Sequence, residues 1–235
     1  MRRIATQGDV LNKRWTLVVA ALAAFMTALD TLVVTTALPV LRVDLGASLS
    51  DLEWTVNAYN LAFACLLLTG AALGDRFGRR RMLVLGLLAF TGASAAAALS
   101  PDAGMLVVAR AVQGAGAAIV TPLTLTLMSD AFPAEKRGPA IGLWGGIVGL
   151  AVAAGPVVGG AVVGGIDWHW IFWLNVPVGL ALIPLALAKV PESFGPRARV
   201  DPVGLVLAAA DALGLTCGSF ARAPPAGRAR KCSAR

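Results

Sequence analysis

The sequence predicts an all-α, polytopic membrane helix bundle of six spans and the start of a seventh, and three observations carry that expectation. Hydrophobic residues make up 57% of the 235 positions and charged residues only 14%, against about 25% charge in ordinary soluble domains. The mean hydropathy of +0.76 agrees. The apolar residues fall into runs of membrane length, since a spanning helix needs about 20 mostly apolar residues. The net charge of +7 comes from Lys and Arg gathered in short turns between those runs. Such clustering is a topology signal rather than a nucleic-acid surface.

Residues 1–14 form a basic N-terminal segment carrying Arg2, Arg3, Lys13 and Arg14. The first apolar run, Trp15 to Leu38, is too long for the apolar region of a signal peptide and no small-residue cleavage site follows it. It is expected to stay in place as a span. Further runs extend from Trp54 to Leu73, Met82 to Leu99, Met105 to Met128, Ala140 to Val163 and Ile171 to Val190, so 15–190 reads as one six-span bundle. A linker follows over 191–202, then an incomplete seventh span over 203–218. Residues 219–235, SFARAPPAGRARKCSAR, form a basic Pro/Arg/Ala tail whose composition resembles a GC-rich gene read out of frame.

Cytoplasmic loops collect Lys and Arg. With the N-terminus inside, the inner segments hold Arg76, Arg79, Arg80, Arg81, Lys136, Arg137, Lys189, Arg197 and Arg199 besides the N-terminal four. The outer loops then hold only Arg42, together with Asp44, Asp51, Glu53, Asp102 and Asp167. The expected location is the inner (plasma) membrane, N-terminus cytoplasmic.

Two charges lie well within the spans: Asp30 in the first and Arg110 in the fourth. A charge in hydrocarbon is costly, faces a bundle interior and has a partner. Asp30 lies about 22 Å from the inner entry of its span and Arg110 about 8 Å from the outer entry of its own, at about 1.5 Å per residue. In a core about 30 Å thick the two reach similar depth and can pair. Thr27, Asp30, Thr31 and Thr35 share one helical stripe, and Arg110, Gln113, Gly114, Ala117 and Thr121 another. Both stripes read as cavity wall. Asp30 with Arg110 is the expected proton-coupling pair; a fixed pair that only orients two helices is the structural alternative. Asn57 and Asn60, on one face of the second span, are cavity candidates together with Gln113, although paired amides also serve as interhelical glue.

The stretch from Gly70 to Arg81, GAALGDRFGRRR, reads as a basic turn between two rods with an internal ion pair between Asp75 and the arginines. The fifth span is different: Gly142, Gly145, Gly146, Gly149, Gly155, Gly159, Gly160 and Gly164 supply small-residue pairs that let backbones approach, and Pro156 interrupts the hydrogen-bond ladder. Close packing explains most of these glycines; a bend explains the cluster at Pro156.

Enzyme chemistry has little to stand on. The single histidine, His169, sits between Trp168 and Trp170 at an outer helix boundary, where aromatic belts are expected. HExxH and GxSxG are absent, and Cys65, Cys217 and Cys232 form no metal knuckle or disulfide framework. No cofactor or metal is expected, and nucleic acid is not an expected partner. An interaction half-bundle that moves nothing itself remains an alternative.

By these motifs the chain resembles the major facilitator superfamily, in particular its fourteen-span drug:proton antiporters. Gly70 to Arg81 is similar to the signature between spans two and three, with Ala71 where the opening glycine normally stands. Arg110, Gln113, Gly114 and Gly116 match RxxQGxG. Gly149, Gly155, Pro156, Gly159 and Gly160 resemble the antiporter signature. Leu29-Asp30-Thr31 through Ala37-Leu38-Pro39, the run WHWIFWLNVP from Trp168 to Pro177, and Pro191-Glu192-Ser193 are similar to subfamily patterns.

The resemblance implies the N-terminal six-helix domain of a secondary transporter that exports drugs or other small amphipathic molecules by alternating access. It further implies a proton gradient as energy source, and protons, a small-molecule substrate, the lipid bilayer and a C-terminal half as partners. Asp75, Arg76, Gly78, Arg79, Arg80 and Asp130 are implied as a conformational latch. Gly149, Gly155, Pro156, Gly159 and Gly160 are implied as the antiporter helix bend.

Overall fold

The computed structural model describes residues 7–195 and Gly214. The expected seventh span over 203–218 apart from Gly214, the tail over 219–235 and the linker beyond residue 195 lie outside the described residues. The remainder is all-helical: α1 (Gln7–Asp44), α2 (Leu49–Phe77), α3 (Arg79–Ala98), α4 (Ala103–Asp130), a 3-10 turn (Ala134–Lys136), α5 (Arg137–Gly165), α6 (Trp170–Trp173) and α7 (Asn175–Lys189). Among the described residues six helical stretches are long and apolar enough to cross a membrane, α6 and α7 counting together.

The helices outrun the apolar runs that announce them. α2 and α5 have 29 residues each, about 43 Å at 1.5 Å per residue, against a hydrocarbon core of about 30 Å. Their polar ends are held by local chemistry that hydropathy does not register. Ser48 and Asp51 close a capping box at the start of α2, the Ser48 hydroxyl accepting from the Asp51 amide and Asp51 accepting from the Ser48 amide at 2.9 Å. Asp102 caps α4 by accepting from the Met105 amide at 2.8 Å.

Two expectations about local structure are corrected. The basic turn over Gly70 to Arg81 shrinks to a single residue: α2 runs to Phe77, α3 starts at Arg79, and only Gly78, at φ +106°, breaks the ladder. Arginine is a good helix former, so Arg79 to Arg81 make the first turn of α3 instead of a loop. The sixth span, expected as one rod from Ile171, divides at Leu174 into α6 and α7. Pro177 has no N–H to offer the Trp173 carbonyl, while Leu174 keeps helical dihedrals, so the axis continues.

α4 packs along both α2 and α3, α1 lies along α5 and crosses α4, and α3 is covered by α7. The interior has two apolar clusters, one toward each end of the bundle. The first includes Val19, Ala23, Met26, Leu83, Leu87, Phe90, Val120, Leu123 and Leu182. The second includes Val33, Ala37, Leu41, Ala97, Leu106, Trp168 and Phe172. On α1 the clusters leave Asp30 between them, on α3 Ser94, on α4 Arg110 and Gln113, and on α7 Asn175. Four helices thus contribute to one polar layer.

Candidate functional site

Asp30 and Arg110 meet in that layer, 2% and 1% exposed. The Arg110 Nη1 donates to Asp30 Oδ2 at 2.6 Å. The other carboxylate oxygen accepts from Gln113 Nε2 at 2.8 Å and from Asn175 Nδ2 at 2.7 Å. Arg110 also donates to Gln113 Oε1 at 2.7 Å and, through Nε, to the Thr55 carbonyl at 3.4 Å. Ser94 accepts from Gln113 and Asn175 and donates to the Phe172 carbonyl at 2.9 Å. Asp30 is therefore a carboxylate with both oxygens occupied, the arrangement a buried charge needs.

The glycines of the fourth helix make this layer possible. A Cβ at Gly114 would collide with the Tyr59 carbonyl, and one at Gly116 would come 2.7 Å from the Phe90 amide nitrogen. Gly114 thus draws α2 against α4 and Gly116 draws α3 against it. Gly70 and Gly74 on α2 serve the same approach, facing the Ala118 backbone and Leu123. Gly70, one residue before the place the family signature reserves for glycine, is buried against α4, whereas Ala71 at that place is half-buried.

Beside the layer opens a cavity of about 340 Å³. α1 supplies Thr27, Thr31 and Leu32 to its wall, α2 supplies Tyr59, Asn60 and Phe63, and α4 and α5 supply Thr121 and Trp144. Thr27, Thr31 and Thr121 of the two expected wall stripes line this space, and of the candidates Asn57, Asn60 and Gln113 only Asn60 does. Gln113 is fully buried in the polar layer, drawn there by the Asp30 carboxylate. Asn57 is half-buried and does not line the cavity, although it shares a helix face with Asn60. Thr35 is exposed, its hydroxyl bonded back to the Leu32 carbonyl.

At the other end, Arg79 gathers the latch candidates. Its Nε donates to Asp75 Oδ1 at 2.9 Å, and its Nη1 pairs with Asp130. Three arginines at a helix N-terminus oppose the macrodipole, and a carboxylate outside the candidate set compensates. Glu192 accepts from the Arg80 amide at 3.0 Å, with the Arg80 and Arg81 Nε atoms 3.7 and 3.6 Å from its other oxygen. The Ser193 carbonyl accepts from the Arg79 amide at 2.9 Å, and the Gly195 amide donates to the Asp75 carbonyl at 3.1 Å. A Cβ at Gly78 would lie 2.7 Å from Glu192 Oε1, so the glycine of the break makes room for this carboxylate. Arg76 points away, exposed over the Phe77 ring.

α5 is continuous through Pro156. Gly155 and Gly159 are buried against Leu32 and Thr36 of α1, whereas Gly149 and Gly160 face open space. At the end opposite the arginines, Trp168 donates from Nε1 to Asp44 at 2.7 Å, joining the end of α1 to the α5–α6 link. His169 stacks on Trp168 and bonds Asp167 at 2.6 Å, and that bond holds the Asp167 carboxyl below the usual carboxylate range. Among the described residues no group of three or more His, Cys, Asp or Glu could hold a metal.

Six membrane-length helices around a buried ion pair define a polytopic membrane protein, and comparison with known proteins assigns its family. The Major Facilitator Superfamily model matches residues 20–226, and the chain belongs to that superfamily, a family of transporters rather than enzymes. It is 41% identical over 194 residues to the tetracenomycin C resistance and export protein of Streptomyces glaucescens, covering 82% of this chain and 36% of that one. It is 40% identical over 206 residues to the puromycin resistance protein of Streptomyces alboniger, covering 86% and 41%. The chain thus spans less than half the length of these relatives. Among solved structures, the xylose transporter XylE from E. coli matches with a TM-score of 0.66 at 20% identity, covering 89% of this chain and 56% of XylE. That likeness concerns the fold alone.

Proposed function

We propose that this chain is the N-terminal half of a proton-coupled exporter of drugs or other small amphipathic molecules. It works in the plasma membrane with its N-terminus cytoplasmic, and the proton gradient supplies the energy without a cofactor. The observation that carries the reading is the Asp30 carboxylate, fully occupied by Arg110, Gln113 and Asn175 beside an apolar cavity. A proton on Asp30 removes the charge that holds donors from α4 and α7 against α1. Those contacts then weaken together, which is what a step between two packings of one bundle requires. Resistance and export names among the relatives support a drug-like cargo. A C-terminal bundle would complete the cavity and close against the Asp75–Arg79–Asp130 cluster in alternating access.

Asp30→Asn is expected to abolish ΔpH-driven ethidium movement in everted membrane vesicles carrying the chain together with a C-terminal family bundle, with the protein still in the membrane. Movement that stays proton-dependent in this variant would sink the reading. The alternative reading is a half-bundle that only binds a partner, and co-purification of a second bundle from cells that show no proton-dependent efflux would favour it.

A further inference from the structure

The chain has one tyrosine, Tyr59, and it belongs both to the cavity wall and to the surroundings of the ion pair. Its ring covers the Arg110 guanidinium, with Cζ 4.2 Å from the ring centroid, a contact that strengthens where water is excluded. Its hydroxyl donates to the Thr27 carbonyl at 3.4 Å and accepts from the Thr31 hydroxyl at 3.3 Å. It is tied to α1 on both sides of Asp30. Its backbone is pressed on Gly114, the glycine one turn beyond Arg110. A movement of this ring in the cavity therefore reaches the guanidinium directly.

The wall also states what fits it. Phe63 lies parallel to Tyr59 at 6.3 Å between centroids, Trp144 contributes a third aromatic group, and the polar lining is limited to uncharged Thr27, Thr31, Asn60 and Thr121. Aromatic faces take flat aromatic molecules and attract cations, and no basic group on this wall pairs an anion.

We infer that Tyr59 is a positioning residue through which a flat aromatic molecule, neutral or singly cationic, acts on the Asp30–Arg110 pair. The inference rests on Asp30 being the proton site. A ligand pressing on the ring changes its cover of Arg110, and with it the hold of Arg110 on Asp30. By linkage, the state of Asp30 alters ligand affinity equally. The charged or titratable groups facing Asp30 are Arg110 from α4 and, across Arg110, Tyr59 from α2; α3 and α7 present only Ser94 and Asn175.

The test uses the full chain in lipid nanodiscs with ethidium as probe and 13Cζ-tyrosine as label, which gives one resonance. The resonance is expected to move with pH before any ethidium is added, and to move again on its addition. Asp30→Asn removes the first response and keeps the second. Ethidium affinity is expected to change about tenfold between the acid and alkaline ends of the pH series, within the usual range for coupled sites. Tyr59→Leu reduces that change to under about twofold, and Tyr59→Phe, which keeps the ring, restores it. Phe63→Leu weakens binding at every pH and leaves the slope. A Tyr59→Leu chain that keeps the slope, or a resonance blind to pH, overturns the inference. Retention of the slope in Asp30→Asn overturns the proton site and this role with it. Loss of the slope in Asp30→Asn but not in Tyr59→Leu removes Tyr59 alone. Absence of ethidium binding at any pH overturns the ligand class.

Discussion

Single side chains in this bundle are placed by what their neighbours lack as much as by what they offer. Gly78 combines a backbone conformation that L side chains rarely adopt with a contact a Cβ would crowd, against Glu192. Gly78→Ala is expected to cost about 1–3 kcal/mol, as forced residues at such dihedrals do, and to lower the unfolding temperature measured in detergent. Gly92, within α3 with nothing near its Cβ position, is the control: alanine there improves helix propensity and leaves stability equal or slightly higher. An unchanged unfolding temperature for Gly78→Ala would mean the Glu192 contact does not constrain the break. Asp30 and Arg110 were legible because a charge inside a long apolar run has few explanations. Ser94, Asn175 and Tyr59 were not, since neutral polar and aromatic residues in helices carry no such cost signature. Asn175 stood within a quoted family pattern, but only packing shows that it faces Asp30. Glu192 was likewise quoted without a role, for its partners lie more than a hundred residues earlier.

At the level of the helix, glycine content alone does not say which face meets a neighbour. Gly155 and Gly159 are set into α1, with a Cβ at Gly155 falling 2.8 Å from Leu32 Cβ and one at Gly159 colliding with the Thr36 hydroxyl. Gly149 and Gly160 belong to the same cluster in sequence yet face open space. Gly155→Ala and Gly159→Ala are expected to lower stability by about 1–3 kcal/mol, the range for overpacking, read as the SDS fraction at which half the helicity is lost. Gly149→Ala and Gly160→Ala are expected to stay within about 0.5 kcal/mol. Equal losses at all four would show that α5 packs by a different face. Helix existence was readable from hydropathy throughout, whereas helix ends were not. Caps such as Ser48 with Asp51, and arginines that continue a helix, are polar residues in helical conformation, and a count of apolar residues stops short of both.

Over the whole molecule, the charges divide the bundle into two ends. Arg79 to Arg81, Asp75, Asp130 and Glu192 assemble at one, and Asp44, Asp102, Asp167, Trp168 and His169 lie at the loops of the other. The basic end is expected to be cytoplasmic. In a chain with Cys65, Cys217 and Cys232 changed to Ser, Asp102→Cys is expected to react with a membrane-impermeant maleimide in intact cells. Arg81→Cys is expected to react only after permeabilisation. The opposite pattern would invert the assigned orientation. The six-helix architecture was readable in advance because membrane length and alternating charge are global signals; of the cavity only the polar side with Thr27, Thr31, Asn60 and Thr121 was, because the aromatic side depends on which faces turn toward one another.

The polar layer also sets an order in time. Asp30 precedes its arginine by 80 residues and Asn175 by 145. Chains emerge from the ribosome N-terminus first, so α1 is made while the partners of its carboxylate do not yet exist. The first helix therefore makes its ion pair only once α4 has been synthesised, and the set of donors on Asp30 is complete only when α7 delivers Asn175. Glu192 reaches Arg80 later still, which makes the basic end the last seam of the described bundle to close.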